Sequence, residues 1–183
     1  MKIIVGITGS SGAAFAVNFL KRCNADKFLI MSKWGKALMK DEMNLTEKDL
    51  KPFIKRQFSN DDLTAPTASG SNKFDAFVII PCSTSTIGKI ASGIGDTLIT
   101  RTAQVALKEK YKIICCVRET PLSTITLEQC AKLSRDGALI MPISPPMYHL
   151  PNSVDEYINA FVDRLLEILE LKGRKGWRGE ELE

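Results

Sequence analysis

Lys2-Ile3-Ile4-Val5-Gly6-Ile7 runs straight into Thr8-Gly9-Ser10-Ser11-Gly12, and a helical apolar pattern starts at once with Ala13, Ala14, Val17 and Leu20. A buried strand, a glycine–serine turn and an amphipathic helix in that order point to an α/β architecture. The first N–H groups of such a helix have no partner within it, and its dipole adds partial positive charge there. The turn can therefore cradle an anion, with small residues letting a phosphate approach the backbone. A plain tight turn opening a helix has the same local pattern, so the loop needs support from elsewhere.

What the loop lacks narrows the ligand. The dinucleotide fingerprint needs G-x-G-x-x-G and an acid about twenty residues on for the ribose. Here the second apolar strand, Phe28-Leu29-Ile30-Met31, ends in Ser32-Lys33. A hydroxyl and a cation suit a phosphate rather than a ribose diol. No G-x-x-x-x-G-K-[ST] occurs, which argues against a P-loop nucleotidase. A mononucleotide such as FMN fits the pattern better.

A chain of 183 residues is expected to form one domain, here assigned to 1–172, with a basic tail at 173–183. The formal charge of +4 is too small to argue for nucleic acid. The apolar start is broken by glycine and serine where a signal peptide would continue, and no apolar stretch approaches the length of a membrane span. Cys23, Cys82, Cys115, Cys116 and Cys130 form no C-x-x-C pair, which predicts reduced thiols and a cytoplasmic protein. With His149 the single histidine, no metal site is expected.

Apolar runs near 2–7, 27–31, 74–81, 112–117 and 138–142 alternate with amphipathic segments near 11–23, 33–42, 84–93, 96–110, 125–136 and 153–171. Continuous apolar strands between amphipathic helices predict a parallel sheet covered on both faces. Ligands of such sheets lie outside the carboxyl ends of the strands. The segments after each strand are therefore where chemistry is expected.

After the third strand, Ser83-Thr84-Ser85-Thr86 open a helix. One N-cap needs one hydroxyl, so four in succession point to a ligand. Cys82 has no obvious base partner and reads as a buried thiol. Asp96 is the expected N-cap of the next helix, on which Arg101 and Lys108 lie two turns apart and share a face. After the fourth strand, Arg118-Glu119 can be an ion pair closing a loop, or a phosphate or flavin contact beside a proton-handling carboxylate. The sequence leaves both open. The proline-rich run Pro142 to Pro151 is stiff and extended and presents Tyr148 and His149. Ser153 and Glu156 are spaced as a capping box, and Arg164 flanks the apolar stripe of the last helix.

Thr-Gly-Ser-Ser-Gly at 8–12, Ala-Pro-Thr-Ala-Ser-Gly-Ser at 65–71, Pro-Cys-Ser-Thr at 81–84, Arg-Thr-Ala-Gln-Val-Ala-Leu-Lys at 101–108, Arg-Glu-Thr-Pro at 118–121 and Met-Tyr-His-Leu-Pro at 147–151 occur in an order that resembles the UbiX family of flavin prenyltransferases. The match runs over about 1 to 170 and is weak at 44–64 and in the tail.

The resemblance implies a three-layer Rossmann-like or flavodoxin-like fold that binds FMN and assembles as a homo-oligomer, typically a dodecamer. It implies transfer of a dimethylallyl group from dimethylallyl phosphate to N5 and C6 of reduced FMN, without a metal. The prenylated FMN would serve a UbiD-type decarboxylase. Carried onto this chain, the flavin would meet Gly9, Ser10, Ser11, Ser32, Ser83, Thr84, Ser85, Thr86 and Arg118. The prenyl phosphate would meet Arg101, Lys108, Tyr148 and Arg164, some from neighbouring subunits. Ser11 and Glu119 would handle protons near flavin N5, with Glu42 a further active-site carboxylate. Trp177 or Tyr148 would offer a π face to an allylic cation. Two other classes share the flavin loops. One is the FMN-dependent cysteine decarboxylases, which use an early histidine and a Pro-x-Met-Asn motif, both absent here. The other is a non-catalytic FMN-binding protein, which would not need the four phosphate residues.

Overall fold

The computed structural model describes residues 1–148 and 150–171. Its strands are β1 (Lys2–Ile7), β2 (Asp26–Met31), β3 (Arg56–Ser59), β4 (Ala76–Cys82), β5 (Lys112–Val117) and β6 (Leu139–Ile140). Its helices are α1 (Ala13–Arg22), α2 (Lys33–Met43), the short α3 (Glu47–Leu50), α4 (Thr84–Ala91), α5 (Leu98–Glu109), α6 (Thr124–Arg135) and α7 (Val154–Ile168). The strands pair in parallel in the order β3-β2-β1-β4-β5-β6. The chain winds outward from β1 to one edge, then returns to the centre and winds to the other. The crevice between the carboxyl ends of β1 and β4 is thus the topological switch point, where such sheets bind ligands.

Strand alternation explains the three layers. Ile3, Val5 and Ile7 of β1 face one core with Phe19 of α1, Met39 of α2 and Phe161 and Leu165 of α7. Ile4 faces the other core with Ile87 of α4, Leu98 and Ala103 of α5 and Leu133 of α6. Every residue of β4 is buried, as expected of a central strand covered on both faces. Gly6 leaves room for the Phe77 ring, whose Cε2 lies 3.2 Å from where a Cβ would stand.

Several elements depart from the sequence expectation. The edge strand β3 was not anticipated, because only Phe58 in it is an apolar residue. The last strand has two residues rather than the five of 138–142. The N-cap of α5 is Thr97, whose hydroxyl accepts from the Thr100 N–H. Asp96 instead takes the Lys89 ammonium at 2.6 Å. At α7, the Ser153 hydroxyl accepts from the Glu156 N–H. The Glu156 carboxylate reaches one residue further back, to the Asn152 N–H at 2.7 Å, so the box is displaced by one residue. His149 and the 173–183 tail with Trp177 lie outside the described residues.

Candidate active site

The strand ends at the switch point are stitched together by short polar residues. Thr8, 2 % exposed, donates its hydroxyl to the Pro81 carbonyl at 2.8 Å and accepts from the Ser83 N–H at 2.8 Å. One side chain thereby joins the end of β1 to the start of α4. Ser10 donates to the Arg118 carbonyl at 2.6 Å, tying the first loop to the one after β5. The Ser32 N–H reaches the Ile7 carbonyl at 2.9 Å, and its hydroxyl caps α2 through the Gly35 N–H at 3.0 Å. Gly35 is obligatory there, because a Cβ would stand 2.5 Å from the Ile7 carbonyl oxygen.

These loops enclose a cavity of about 610 Å³, within the usual range for a cofactor site. Gly9, Ser32, Ser83, Ser85 and Thr86 line it. Ser83 is the N-cap of α4, accepting from the Thr86 N–H. The remaining hydroxyls of this turn supply donors beyond what the cap requires. Gly9 has no room for a Cβ, which would collide with the Cβ of Trp34, so the loop backbone lies directly against α2. Hydroxyls on two sides, a bare backbone edge and this volume suit a flavin mononucleotide.

The start of α1 differs from expectation. The N–H groups of Gly12 and Ala13 are taken by the carboxylate of Glu42, at 2.9 Å and 2.8 Å. The positive end of this helix is complemented by the chain's own anion. Ser11 and Glu42, both expected to be catalytic, are thereby brought to the same end of α1. The Glu119 carboxylate accepts from the Thr120 N–H at 3.1 Å. It makes no ion pair with Arg118 among the described residues.

The four expected phosphate residues do not line this cavity. Arg101 donates through Nε to the Ala68 carbonyl at 3.1 Å. Lys108 pairs with Glu109. Both lie against the 65–71 loop. Arg164 is on α7 and holds Glu167 at 3.0 Å. Tyr148 stands half exposed in the proline-rich segment. Thr84 opens α4, and Ser10, Ser11 and Arg118 belong to the surrounding loops, all four without lining the cavity.

Other lining residues were missed by the sequence reading. They include Trp34, Lys36, Asn60, Asp61 and Lys89, whereas Lys33, singled out beside Ser32 as a cation suited to a phosphate, does line it. Trp34 is two-thirds exposed, with the Lys33 ammonium 5.5 Å from its ring centre. Lys36 is paired with Glu47 at 3.0 Å and Lys89 with Asp96. Asn60 holds the start of α5, its carbonyl taking the Leu98 N–H at 2.7 Å and its side chain the Ile99 N–H at 3.1 Å. Recognising β3 would have pointed to Asn60 and Asp61, since they directly follow its carboxyl end.

Burial pushes the Cys82 and Cys116 thiols well up, with neighbouring thiols adding to it. Neither is poised as a nucleophile. Among the described residues no group of three His, Cys, Asp or Glu is placed to hold a metal. No helix among them is long and apolar enough to cross a membrane.

The model of the family described as Flavoprotein matches residues 1–166. A flavin prenyltransferase UbiX of Methanocaldococcus jannaschii is 44 % identical over 171 residues, covering 92 % of this chain and 93 % of the relative. The crystal structure of AnUbiX in complex with FMN and dimethylallyl pyrophosphate superposes with a TM-score of 0.91 at 34 % identity, covering 97 % of this chain and 98 % of that one. A dodecameric FMN-dependent UbiX-like decarboxylase from Escherichia coli O157:H7 gives 0.93 at 37 % identity, covering 98 % and 100 %. The loops that frame the cavity lie within all of these matches, and the chain belongs to the Flavoprotein family and, within it, to the UbiX flavin prenyltransferases.

Proposed function

We propose that the protein transfers a dimethylallyl group from dimethylallyl phosphate to N5 and C6 of reduced FMN, releasing inorganic phosphate and prenylated FMN. The observation that carries this reading is the hydroxyl-lined cavity at the β1/β4 switch point, in a chain whose UbiX relatives are flavin prenyltransferases. Reduced FMN, when bound, supplies the nucleophilic atoms of the reaction.

The chain's own residues bind, orient and neutralise. Gly9, Ser10, Ser11, Ser32, Ser83, Thr84, Ser85, Thr86 and Arg118 hold the flavin. Arg101, Lys108, Tyr148 and Arg164 receive the donor phosphate. A leaving dianion needs converging cations, and stabilising the charge that develops on it is the largest rate term available to such a site. That those four residues do not line the cavity within one subunit supports a site completed by neighbouring copies. The protein acts as a homo-oligomer, for which a dodecamer is the expected form, as in the dodecameric UbiX-like relative. Ser11 and Glu119 move protons at the flavin edge, and Glu42 orients the α1 start beside Ser11. Residues 1–172 act as one domain in the cytoplasm. The product serves a UbiD-type decarboxylase.

The test is anaerobic incubation of the protein with reduced FMN and dimethylallyl phosphate, followed by mass spectrometry of the flavin. A prenylated flavin supports the proposal. Unmodified FMN, with the diphosphate donor also tried, refutes it and favours cysteine decarboxylation or simple flavin carriage. Arg101→Ala and Lys108→Ala are expected to cut transfer steeply, to a slow but measurable residue, while FMN still binds. Loss of FMN instead would assign these cations to the flavin.

A further inference from the structure

The 65–71 loop is fastened to α5 and to the turn that follows it. The Arg101 guanidinium reaches the Ala68 carbonyl at 3.1 Å. The buried Thr102 hydroxyl donates to Thr67 Oγ1 at 3.0 Å. The Tyr111 hydroxyl reaches the Gly70 carbonyl at 3.3 Å. At the end of this seam Lys108 and Glu109 meet over Gly70. Consecutive helix residues point about 100° apart and do not ordinarily face each other. They meet here because Gly70 has no side chain. A Cβ on it would run into Glu109 Oε1 first, and would stand 2.7 Å from Lys108 Nζ and 2.8 Å from Glu109 Cδ.

We infer that Gly70 is a positioning residue for Lys108: its missing side chain is the space in which the ammonium is seated against the Glu109 carboxylate, on the face of α5 that also carries Arg101 two turns away. The inference rests on the reading of Lys108 as a contact to the donor phosphate. The role is steric. Gly70 does not have the positive φ found at Gly12, Gly93 and Gly137, so an alanine there is not strained by backbone conformation. The atoms an added methyl would meet are the ends of two flexible side chains. Those ends can swing away at little cost to folding, and in doing so they carry the ammonium off its seat. Displacing a charge-assisted contact by an ångström is enough to lose much of what it contributes to a reacting phosphate.

The experiment is a double-mutant cycle on the full chain with Gly70→Ala, Lys108→Ala and the pair, reading donor KM, kcat, FMN affinity and Tm. Gly70→Ala is expected to raise donor KM by about tenfold, with FMN affinity and Tm unchanged. Added to Lys108→Ala, it should do nothing further. Tyr111→Phe reaches the same loop without adding an atom and keeps the ring against Phe74, whose centroid is 4.8 Å away. It should raise donor KM by a smaller factor, again only when Lys108 is present. Wild-type donor KM in Gly70→Ala and Tyr111→Phe overturns the inference. So does an equal penalty with and without Lys108. If Lys108→Ala itself leaves donor kinetics untouched, the donor-phosphate reading of Lys108 fails, which is a separate and distinguishable result.

Discussion

Thr8→Val tests whether one hydroxyl holds the two central strand ends in register around the cavity. Valine keeps the shape of the side chain and removes its oxygen. The Pro81 carbonyl would retain the Thr8 N–H, 3.2 Å away, so it stays satisfied. The Ser83 N–H, part-buried at the start of α4, would lose its acceptor at 2.8 Å. Leaving one such donor unpaired costs about 1–2 kcal/mol. For a chain of this length that lowers Tm by roughly 2–8 °C. The same loosening frees the Ser83 turn, and about 1.4 kcal/mol lost from the bound state would weaken FMN binding tenfold. Thermal unfolding at fixed protein concentration, with and without FMN, reads the first quantity; flavin fluorescence titration reads the second. Thr8→Ser, which keeps the hydroxyl, is the control and should stay near wild type. If Thr8→Val matched Thr8→Ser in both measurements, the hydroxyl would not be what joins these ends, and the account of the cavity walls would fail.

Two further outcomes follow from the ionisable groups. At pH 8 an aromatic disulfide reagent should label Cys130 first, since it is the one cysteine not fully buried. Cys82 and Cys116, their thiols pushed well up by burial, should react only on unfolding, and rapid native labelling of Cys82 would contradict this. Asp96 is held below the usual carboxylate range by its hydrogen bond from Lys89, and Asp62 by its bond from the Thr64 hydroxyl. A folded-state pKa below the unfolded one gives stability that is complete above about pH 4 and lost as pH falls through the lower folded value. Melting curves should therefore decline below about pH 4. Asp96→Asn should make that decline shallower, and an unchanged acid limb would show that the Lys89 contact lends nothing.

The central half of the fold was readable because each piece carried its own signal. β1 and β4 are continuous apolar runs, and Thr8 to Gly12 and Ser83 to Thr86 punctuate them where helices begin. The hydroxyls lining the cavity were legible for the same reason, since cavity-forming loops of a parallel sheet follow its strands. β3 was not legible, because Arg56, Gln57 and Ser59 carry no apolar period and the strand is defined by its partner β2. The cap of α5 was off by one because Asp96 and Thr97 are adjacent and equally suited. The choice falls to Lys89, seven positions earlier, which claims the carboxylate. Glu42 on the α1 start is a contact across thirty residues, set by how α2 packs against α1. The separation of Arg101 and Lys108 from the flavin cavity is likewise a property of packing, and the linear order of motifs does not encode it.

The two edges of the sheet bear on how copies of this chain can meet. β3 offers four residues and β6 two, and Arg56 places a cation on the first. Such stubs give an incoming strand almost nothing to zip onto, so growth from sheet to sheet, the route to open-ended fibres, is closed. Large apolar side chains are exposed elsewhere, on helices and loops, among them Ile125 and Leu127 of α6 and Ile94 beyond α4. Patches of that kind join copies at a fixed angle, which gives a finite particle where the rotation closes and a helical filament where it does not. Short outer strands thus take strand-by-strand stacking out of the repertoire of a crowded population of these molecules and leave its assembly to side-chain geometry.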